Sequence, residues 1–294
     1  MKKSDRKLIR RYRVEDGGKF RLKDHDPADT AGLVLDKDEA RRLLGVGVES
    51  LAELQGKLYA EDRWALLVIF QAMDAAGKDS TISHVMSGVN PQGCEVFSFK
   101  EPSPEELDHD FLWRASQRLP ERGRIGIFNR SHYEEVLIVR VHPEILAGEK
   151  IPDALVTKRI WDERYEDINA FERHLARNGT AILKFFLNVS KKEQKKRFLA
   201  RLDDPEKKWK FNLADVQERA LWGDYMDAYE EMIRATSTEW APWYVVPADQ
   251  KWFTRIVVAG AIVDTLERLG VDYPKVDPAA KRRLAQARRE LQKN

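Results

Sequence analysis

The chain has 294 residues, 43% hydrophobic and 34% charged, enough to bury a sizeable core in one large domain or two small ones. Its single cysteine, Cys94, excludes a disulfide framework and a cysteine-based zinc site. No apolar run reaches about 18 residues, and no apolar stretch follows the charged start MKKSDRKLIRRYRVEDGGK, so a cytoplasmic protein with no membrane partner is expected.

The net charge of +2 conceals three basic blocks: residues 1–24 at +6, 190–210 at +5 and 275–294 at +5, leaving −14 for the remainder. Such blocks on an acidic body suit a polyanionic partner, whether nucleic acid, nucleotide or another phosphate chain. The two terminal blocks also read as solvated tails. The middle block interrupts a folded region, which favours a functional reading for it.

In chain order, residues 37–60 predict a helix and WALLVIF (64–70) a fully buried strand, followed by a helix over 77–89 and a short strand, CEVFSF, over 94–99. A helix near 104–119 opens at Ser103 before Pro104 and Glu106, and GRIGIFN (123–129) is the third strand. An apolar helix is expected over 132–141 and a longer one over 155–177, stopped at Asn178-Gly179. TAILKFFLNV (180–189) and WYVVPA (243–248) complete five strands, and 252–269 is a closing helix. Near-continuous apolar strands separated by helices predict an α/β fold, a parallel sheet covered on both faces. The expected organisation is an N-terminal extension with a helix (1–60), a core domain (61–272) and a basic tail (273–294).

Ligands of such sheets bind beyond the carboxyl ends of the strands. The first strand runs into FQAMDAAGKDS, where Gly77-Lys78 sits at a strand-to-helix junction, as in a P-loop. The usual G-x-x-x-x-G-K-[ST] is not met: Ala72 holds the first glycine position, Asp79 follows the lysine, and Ser80 and Thr81 come late. Ala75, Ala76, Gly77, Asp79 and Ser80 are candidate phosphate contacts, and Lys78 the cation at a phosphoryl oxygen. Asp74 could hold Mg²⁺ directly or through water, since that ion favours carboxylates and keeps several waters. The bland alternative is a tight turn that needs glycine only for its geometry.

The third strand ends in FNRSHYEE. Asn129 can orient a metal-bound water, Arg130 is a fixed cation suited to a transferring phosphoryl group, and Glu134 and Glu135 follow within a turn. His132 reads as a surface residue at a helix start rather than a ligand or base. After the fourth strand, Lys192, Lys195, Lys196, Arg197 and Arg201 gather on a helix that breaks at Pro205, the pattern of a cationic lid over about 190–220. Arg114 and Arg118 are further candidate phosphate contacts, with Asp108 and Asp110 as residues that could hold them.

MDAAGKDSTISHVMSGVNPQGCEVFSFKEPSPEELDHDFLWR, FNRSHYEEVLIVRVHPE and KKEQKKRFLARLDDPEKKWKF…ADVQERALWGDYMDAYEEM resemble the Walker A, Walker B and lid motifs of the polyphosphate kinase 2 family, over about residues 30–272. That family's first loop reads G-x-D-x-x-G-K, which accounts for Asp74. The resemblance implies a P-loop kinase of thymidylate-kinase-like fold, a three-layer α/β/α sandwich around a five-stranded parallel sheet with a helical lid. It implies Mg²⁺-dependent phosphoryl transfer between inorganic polyphosphate and adenine nucleotides, with guanine left open. By position, Asp74 becomes the metal-organising carboxylate, Lys78 the loop lysine and Arg130 the Walker B arginine, with Lys196, Arg197, Arg201, Lys207, Lys208 and Lys210 as lid cations. Many members read FDRSWY where this chain reads FNRSHY. The Asn129 version resembles the class III subgroup, whose members accept both AMP and ADP, and makes Glu134 the candidate carboxylate for metal or nucleotide phosphate.

Two rival readings stand beside this one: an ATP-dependent nucleoside monophosphate kinase, and a nucleic-acid-binding P-loop protein. Against the second, Trp209, Trp222, Trp240, Trp243 and Trp252 are spaced for core packing rather than base stacking. A homo-oligomer, dimer or tetramer, is expected from the N-terminal helix and from the apolar, exposed-looking VLIVRV (136–141).

Overall fold

A computed structural model of the chain describes residues 2–206, 208 and 213–292. The candidate lid residues Lys207 and Lys210, and Trp209, lie outside the described residues. Strands β1 (Ala65–Gln71), β2 (Cys94–Ser98), β3 (Ile125–Asn129), β4 (Thr180–Asn188) and β5 (Trp243–Pro247) form one parallel sheet in the order β2-β3-β1-β4-β5. Every residue of β1 is buried, as a central strand with helices on both faces requires. β2 lies at an edge, and its Glu95, Val96 and Ser98 are exposed.

The helices are α1 (Lys3–Arg10), α2 (Lys37–Glu61), α3 (Lys78–Val85), α4 (Trp113–Ser116), α5 (Ile138–Val141), α6 (Pro143–Gly148), α7 (Ile160–Arg177), α8 (Lys191–Asp203), α9 (Ala214–Glu218), α10 (Trp222–Thr236), α11 (Lys251–Leu269) and α12 (Pro278–Leu291). Asp36 caps α2 through a reciprocal pair with Glu39, and α2 packs along α11. The N-terminal segment belongs to the same core: Ile9, Tyr12, Val14, Phe20 and Leu22 are buried in it, and the chain bridges to β5 through Val14 N to Trp243 O (2.9 Å) and Val245 N to Tyr12 O (2.8 Å). Arg6 of the first basic block pairs with Asp264 (3.1 Å) and Glu267 (2.7 Å) on α11, so part of that block is neutralised within the chain.

Four predicted helices are shorter in the structure, the first being the one expected over 77–89, which spans only Lys78–Val85. Over 104–119 the chain makes a 3₁₀ turn at Glu106–Asp108 and then only the four residues of α4, because Asp110 turns its carboxylate onto Leu112 N (2.9 Å) and starts a new turn. Over 132–141 a 3₁₀ turn, His132–Val136, precedes α5; Ser131 caps it at Tyr133 N (3.1 Å), and Leu137 leaves helical geometry. The helix expected from 155 begins at Ile160, since the Thr157 hydroxyl binds Arg159 N (3.1 Å) and turns the chain first. Val136, Leu137 and Val139 are buried in the chain's own core, which removes VLIVRV as the exposed face expected from the sequence.

The tryptophans divide. Trp243 is fully buried and Trp222 and Trp252 pack half-buried against the core, but Trp240 is 37% exposed, beneath the Arg173 guanidinium. Among the described residues, no helix is long and apolar enough to cross a membrane.

Candidate active site

β1 lies between β3 and β4, with Phe70 paired to Asn129 on one side and Phe185 on the other. The strand order reverses about β1, so the loop leaving it is the topological switch point where doubly wound sheets place ligands. That loop has strained backbone. Ala75 (φ 62°), Gly77 (φ 110°) and, across the gap, Arg130 (φ 63°) occupy the left-handed region, which costs a non-glycine residue on the order of 1–3 kcal/mol. Gly77 is the residue for which this geometry is free of a side-chain penalty, which is the physical reason for glycine directly before Lys78.

Lys78 is buried, and its Nζ donates to Ala72 O (2.6 Å) inside the loop. Burial pushes its pKa down, while Asp74 opposes the shift. Burial alone would raise the Asp74 carboxyl, but Lys78 and Arg130 hold it below its ordinary value, so it is charged at neutral pH. Arg130 Nη2 donates to Asp74 Oδ1 (3.0 Å), and its backbone N–H is fixed by Phe70 O (3.0 Å). Asn129 Nδ2 donates to Asp79 Oδ1 (2.8 Å) and joins the second loop to the first turn of α3. Glu134 is half-buried and raised by burial, against the pull of Arg130 and Lys78. Glu135 is committed to an ion pair with Arg164.

His132 departs from its expected surface position. It is 2% exposed, lies edge-on to Phe171 and is kept neutral by burial. It neighbours a buried network in which the Lys184 ammonium donates to Glu172 (2.6 Å), the Tyr133 hydroxyl (2.8 Å) and Thr236 O (2.8 Å), and Tyr133 donates to Glu172 (2.8 Å). This network anchors the chain immediately after Arg130.

The candidate lid residues behave differently from one another. Arg197 aims its donors at carbonyls of Ala75, Ala76, Ala248 and Asp249 and at Glu193, so it braces the loop instead of standing free as a lid cation. Arg201 faces Asp215 of α9 at 3.6 Å. Lys192, Lys195, Lys196 and Lys208 are exposed, and Lys196 approaches Glu193 at 3.5 Å. α9 is tied back to the body where Glu218 accepts from Tyr225 (2.5 Å) and meets His142 Nε2 (2.9 Å).

These elements enclose a cleft of about 860 Å³. Among the described residues, six basic side chains line it, Lys78, Lys100, Arg130, Arg197, Arg201 and Lys251, against three acidic ones, Asp74, Asp79 and Asp215. Ala75, Gly77, Ser80 and Asn129 also line it; Ala76 is buried behind the loop. Arg114 and Arg118 are not among the lining residues. Arg114 donates to Lys100 O (2.8 Å) beside Phe99, Arg118 lies over Phe97, and α4 is too short to carry both on one face. Asp108 pairs with Lys150, not with either arginine. Sequence reasoning missed Lys100, Lys251, Asp215 and Arg255, whose guanidinium donates to the Ser80 hydroxyl (2.8 Å). Lys100 and Lys251 follow β2 and β5, so the rule of carboxyl strand ends would have found them had it been applied to all five strands.

Known proteins resemble this chain over most of its length. The family model described as Polyphosphate kinase 2 (PPK2) matches residues 34–273. A Rhodopseudomonas palustris protein described as ADP-polyphosphate phosphotransferase is 54% identical, covering 97% of this chain and 98% of its own length. A Meiothermus ruber protein described as AMP/ADP-polyphosphate phosphotransferase is 47% identical, covering 93% and 98%. The crystal structure of Polyphosphate Kinase 2 from Arthrobacter aurescens TC1 superposes with a TM-score of 0.84 at 46% identity, over 94% of this chain and 95% of that one. With its fold and most of its length accounted for in this way, the chain belongs to the polyphosphate kinase 2 family.

Proposed function

We propose that the protein transfers a terminal phosphoryl group of inorganic polyphosphate to a nucleotide, with AMP and ADP both serving as acceptors. The observation that carries this reading is the cleft itself: among the described residues, Lys100, Arg130, Arg197, Arg201 and Lys251 gather around a loop that carries Gly77 and Lys78, with Asp74 in its wall. A phosphate chain brings several adjacent charges, and a cationic cleft of this size can neutralise more than one of them.

The chemistry asks little covalent work of the protein. Both attacking oxygens, on the α-phosphate of AMP and on the β-phosphate of ADP, are already anionic, so alignment and charge neutralisation supply most of the rate. Lys78 and Arg130 flank Asp74 and are the cations placed to meet charge on the transferring group. For Lys78 this means leaving Ala72 O for a phosphoryl oxygen. Asn129 and Arg255 fix Asp79 and Ser80 at the start of α3, whose N-terminal field favours anions. Arg201, which lines the cleft opposite Asp215, is the cation assigned to the donor chain in this reading. Closure of the 190–220 segment would exclude water from the phosphoryl group.

Asp74 suits Mg²⁺. It is a charged carboxylate whose side chain is 36% exposed at the cleft, and Mg²⁺ is ordinarily held by one or two carboxylates together with waters and substrate phosphates. Among the described residues no group of three metal-ligating side chains forms a cage, which agrees with such a shared site. Glu134 is the second candidate. When bound, the ion would neutralise phosphate oxygens and fix their direction.

Acceptor range is tested by supplying AMP alone and ADP alone with polyphosphate and Mg²⁺ and separating the products. ADP from AMP, and ATP from ADP, are the expected results. Product from ADP only would remove AMP as an acceptor and leave the donor assignment standing.

A further inference from the structure

The three consecutive carbonyls of the strained loop, on Asp74, Ala75 and Ala76, are all held from α8. Gln194 Nε2 donates to Asp74 O (3.0 Å), and Arg197 Nη1 donates to Ala75 O (3.1 Å) and Ala76 O (2.7 Å). Gln194 and Arg197 lie three residues apart on α8 and share a face. In a trans peptide the N–H points opposite to the C=O, so carbonyls drawn toward α8 turn the N–H groups of the following residues away from it. For the Asp74–Ala75 and Ala76–Gly77 peptides, those N–H groups belong to Ala75 and Gly77, and both residues line the cleft. The intervening N–H, on Ala76, bonds Met73 O (3.2 Å), and Ala76 is buried.

Gln194 is 1% exposed, and both ends of its amide are engaged: Oε1 accepts from Arg219 Nη1 (2.8 Å), which also donates to Lys191 O (2.8 Å). This fixes the amide orientation, because the flipped amide would set oxygen against the Asp74 carbonyl and nitrogen against a guanidinium. Arg219 directly follows α9, on the returning arm of the lid segment. A continuous chain of hydrogen bonds thus runs from that arm to the peptide whose far side carries the left-handed Ala75.

We infer that Gln194 is a positioning residue for phosphoryl transfer, holding the Asp74–Ala75 peptide in its strained orientation, and that Arg219 keys this hold to the returning arm of the lid. The inference rests on the proposed function. It goes beyond it by assigning loop geometry to a buried amide that need not touch substrate. Strain of this kind persists only where surrounding contacts over-determine it, and Gln194 supplies the contact at its first peptide.

The test uses the full chain and the variants Gln194→Met, Gln194→Glu, Arg219→Ala and the Gln194→Met/Arg219→Ala pair. Readouts are kcat, KM for each substrate, melting temperature and calorimetric binding of tripolyphosphate. Gln194→Met should lose about tenfold or more in kcat and weaken tripolyphosphate binding, since small misplacements of reacting groups carry losses of that size. Gln194→Glu keeps an acceptor for Arg219 but, when ionised, sets an oxygen in place of the donor to Asp74 O, and should show the same loss in kcat together with a lower melting temperature. The double variant should be no worse than Gln194→Met, because one chain of contacts cannot be broken twice. Should Gln194→Met fail to fold, Gln194→Glu and Arg219→Ala decide the question. Variants that match the wild type in kcat and tripolyphosphate affinity, or single losses that simply add, would overturn the inference. A wild-type protein that neither binds tripolyphosphate nor makes ATP would overturn the functional reading as well, and is recognised before any variant is made.

Discussion

Replacing Asp74 by Asn is expected to lower kcat by about 10²–10³-fold or more, the scale of losing a preorganised electrostatic contact at a transfer site, while leaving the fold intact. Asparagine preserves shape and can still accept from Arg130, so the 3.0 Å contact between the two loops need not break. What disappears is the negative charge. That charge balances Lys78 and Arg130 and, under the proposed mechanism, attracts Mg²⁺ with its phosphates. Steady-state kinetics over a Mg²⁺ series, with a melting curve on the same preparation, checks this. A variant with near-normal activity would remove the metal-organising role given to Asp74.

Glu172→Leu should destabilise the protein by about 3–5 kcal/mol, the usual effect of stripping one partner from a buried ion pair. Lys184 lies in the middle of β4, it and Glu172 are both 0% exposed, and the ammonium would retain only the Tyr133 hydroxyl and Thr236 O. Burial pushes the Glu172 carboxyl up, but Lys184 and His132 hold it below its ordinary value, so the pair is ionic. In a domain of this size the loss corresponds to a fall in melting temperature on the order of 10 °C. The double variant Glu172→Leu/Lys184→Met should recover most of it, because a matched apolar pair leaves no charge in the core. Thermal unfolding of the three proteins is sufficient. A single variant as stable as the wild type would show that the network carries little energy. A double variant no better than the single would place the loss in packing instead of charge.

Much of this architecture was legible before any coordinates. All five strands were marked by near-continuous apolar runs, and the variant loop by its glycine and lysine at the end of the first of them. Long helices were also legible: those expected over 37–60 and 252–269 are α2 and α11. The helices on either side of β3, over 104–119 and 132–141, were not, because side chains of Asp110 and Ser131 compete there for backbone N–H groups and divide apparent helices into turns. His132 was misread for a related reason. Its burial depends on Phe171 and Tyr133, contacts set by how α7 crosses the sheet and absent from local sequence.

At the site, sequence placed Asp74, Lys78, Asn129 and Arg130 in one neighbourhood, since each lies at or beyond the carboxyl end of a strand. It could not separate the roles of the α8 cations. Arg197 and Lys196 are neighbours in sequence, yet one braces the loop and the other is exposed. Helical periodicity distinguishes faces, but which face meets the loop is decided only when β4 and α8 are docked.

The most direct measurement is ATP formation by the purified protein from ADP, Mg²⁺ and inorganic polyphosphate, with no ATP supplied and polyphosphate shortening followed in parallel by ³¹P NMR. ATP appearing in step with loss of polyphosphate phosphoryl groups is the predicted result. Transfer that requires ATP as donor, with polyphosphate left unchanged, would contradict it and assign the cleft to a nucleoside monophosphate kinase.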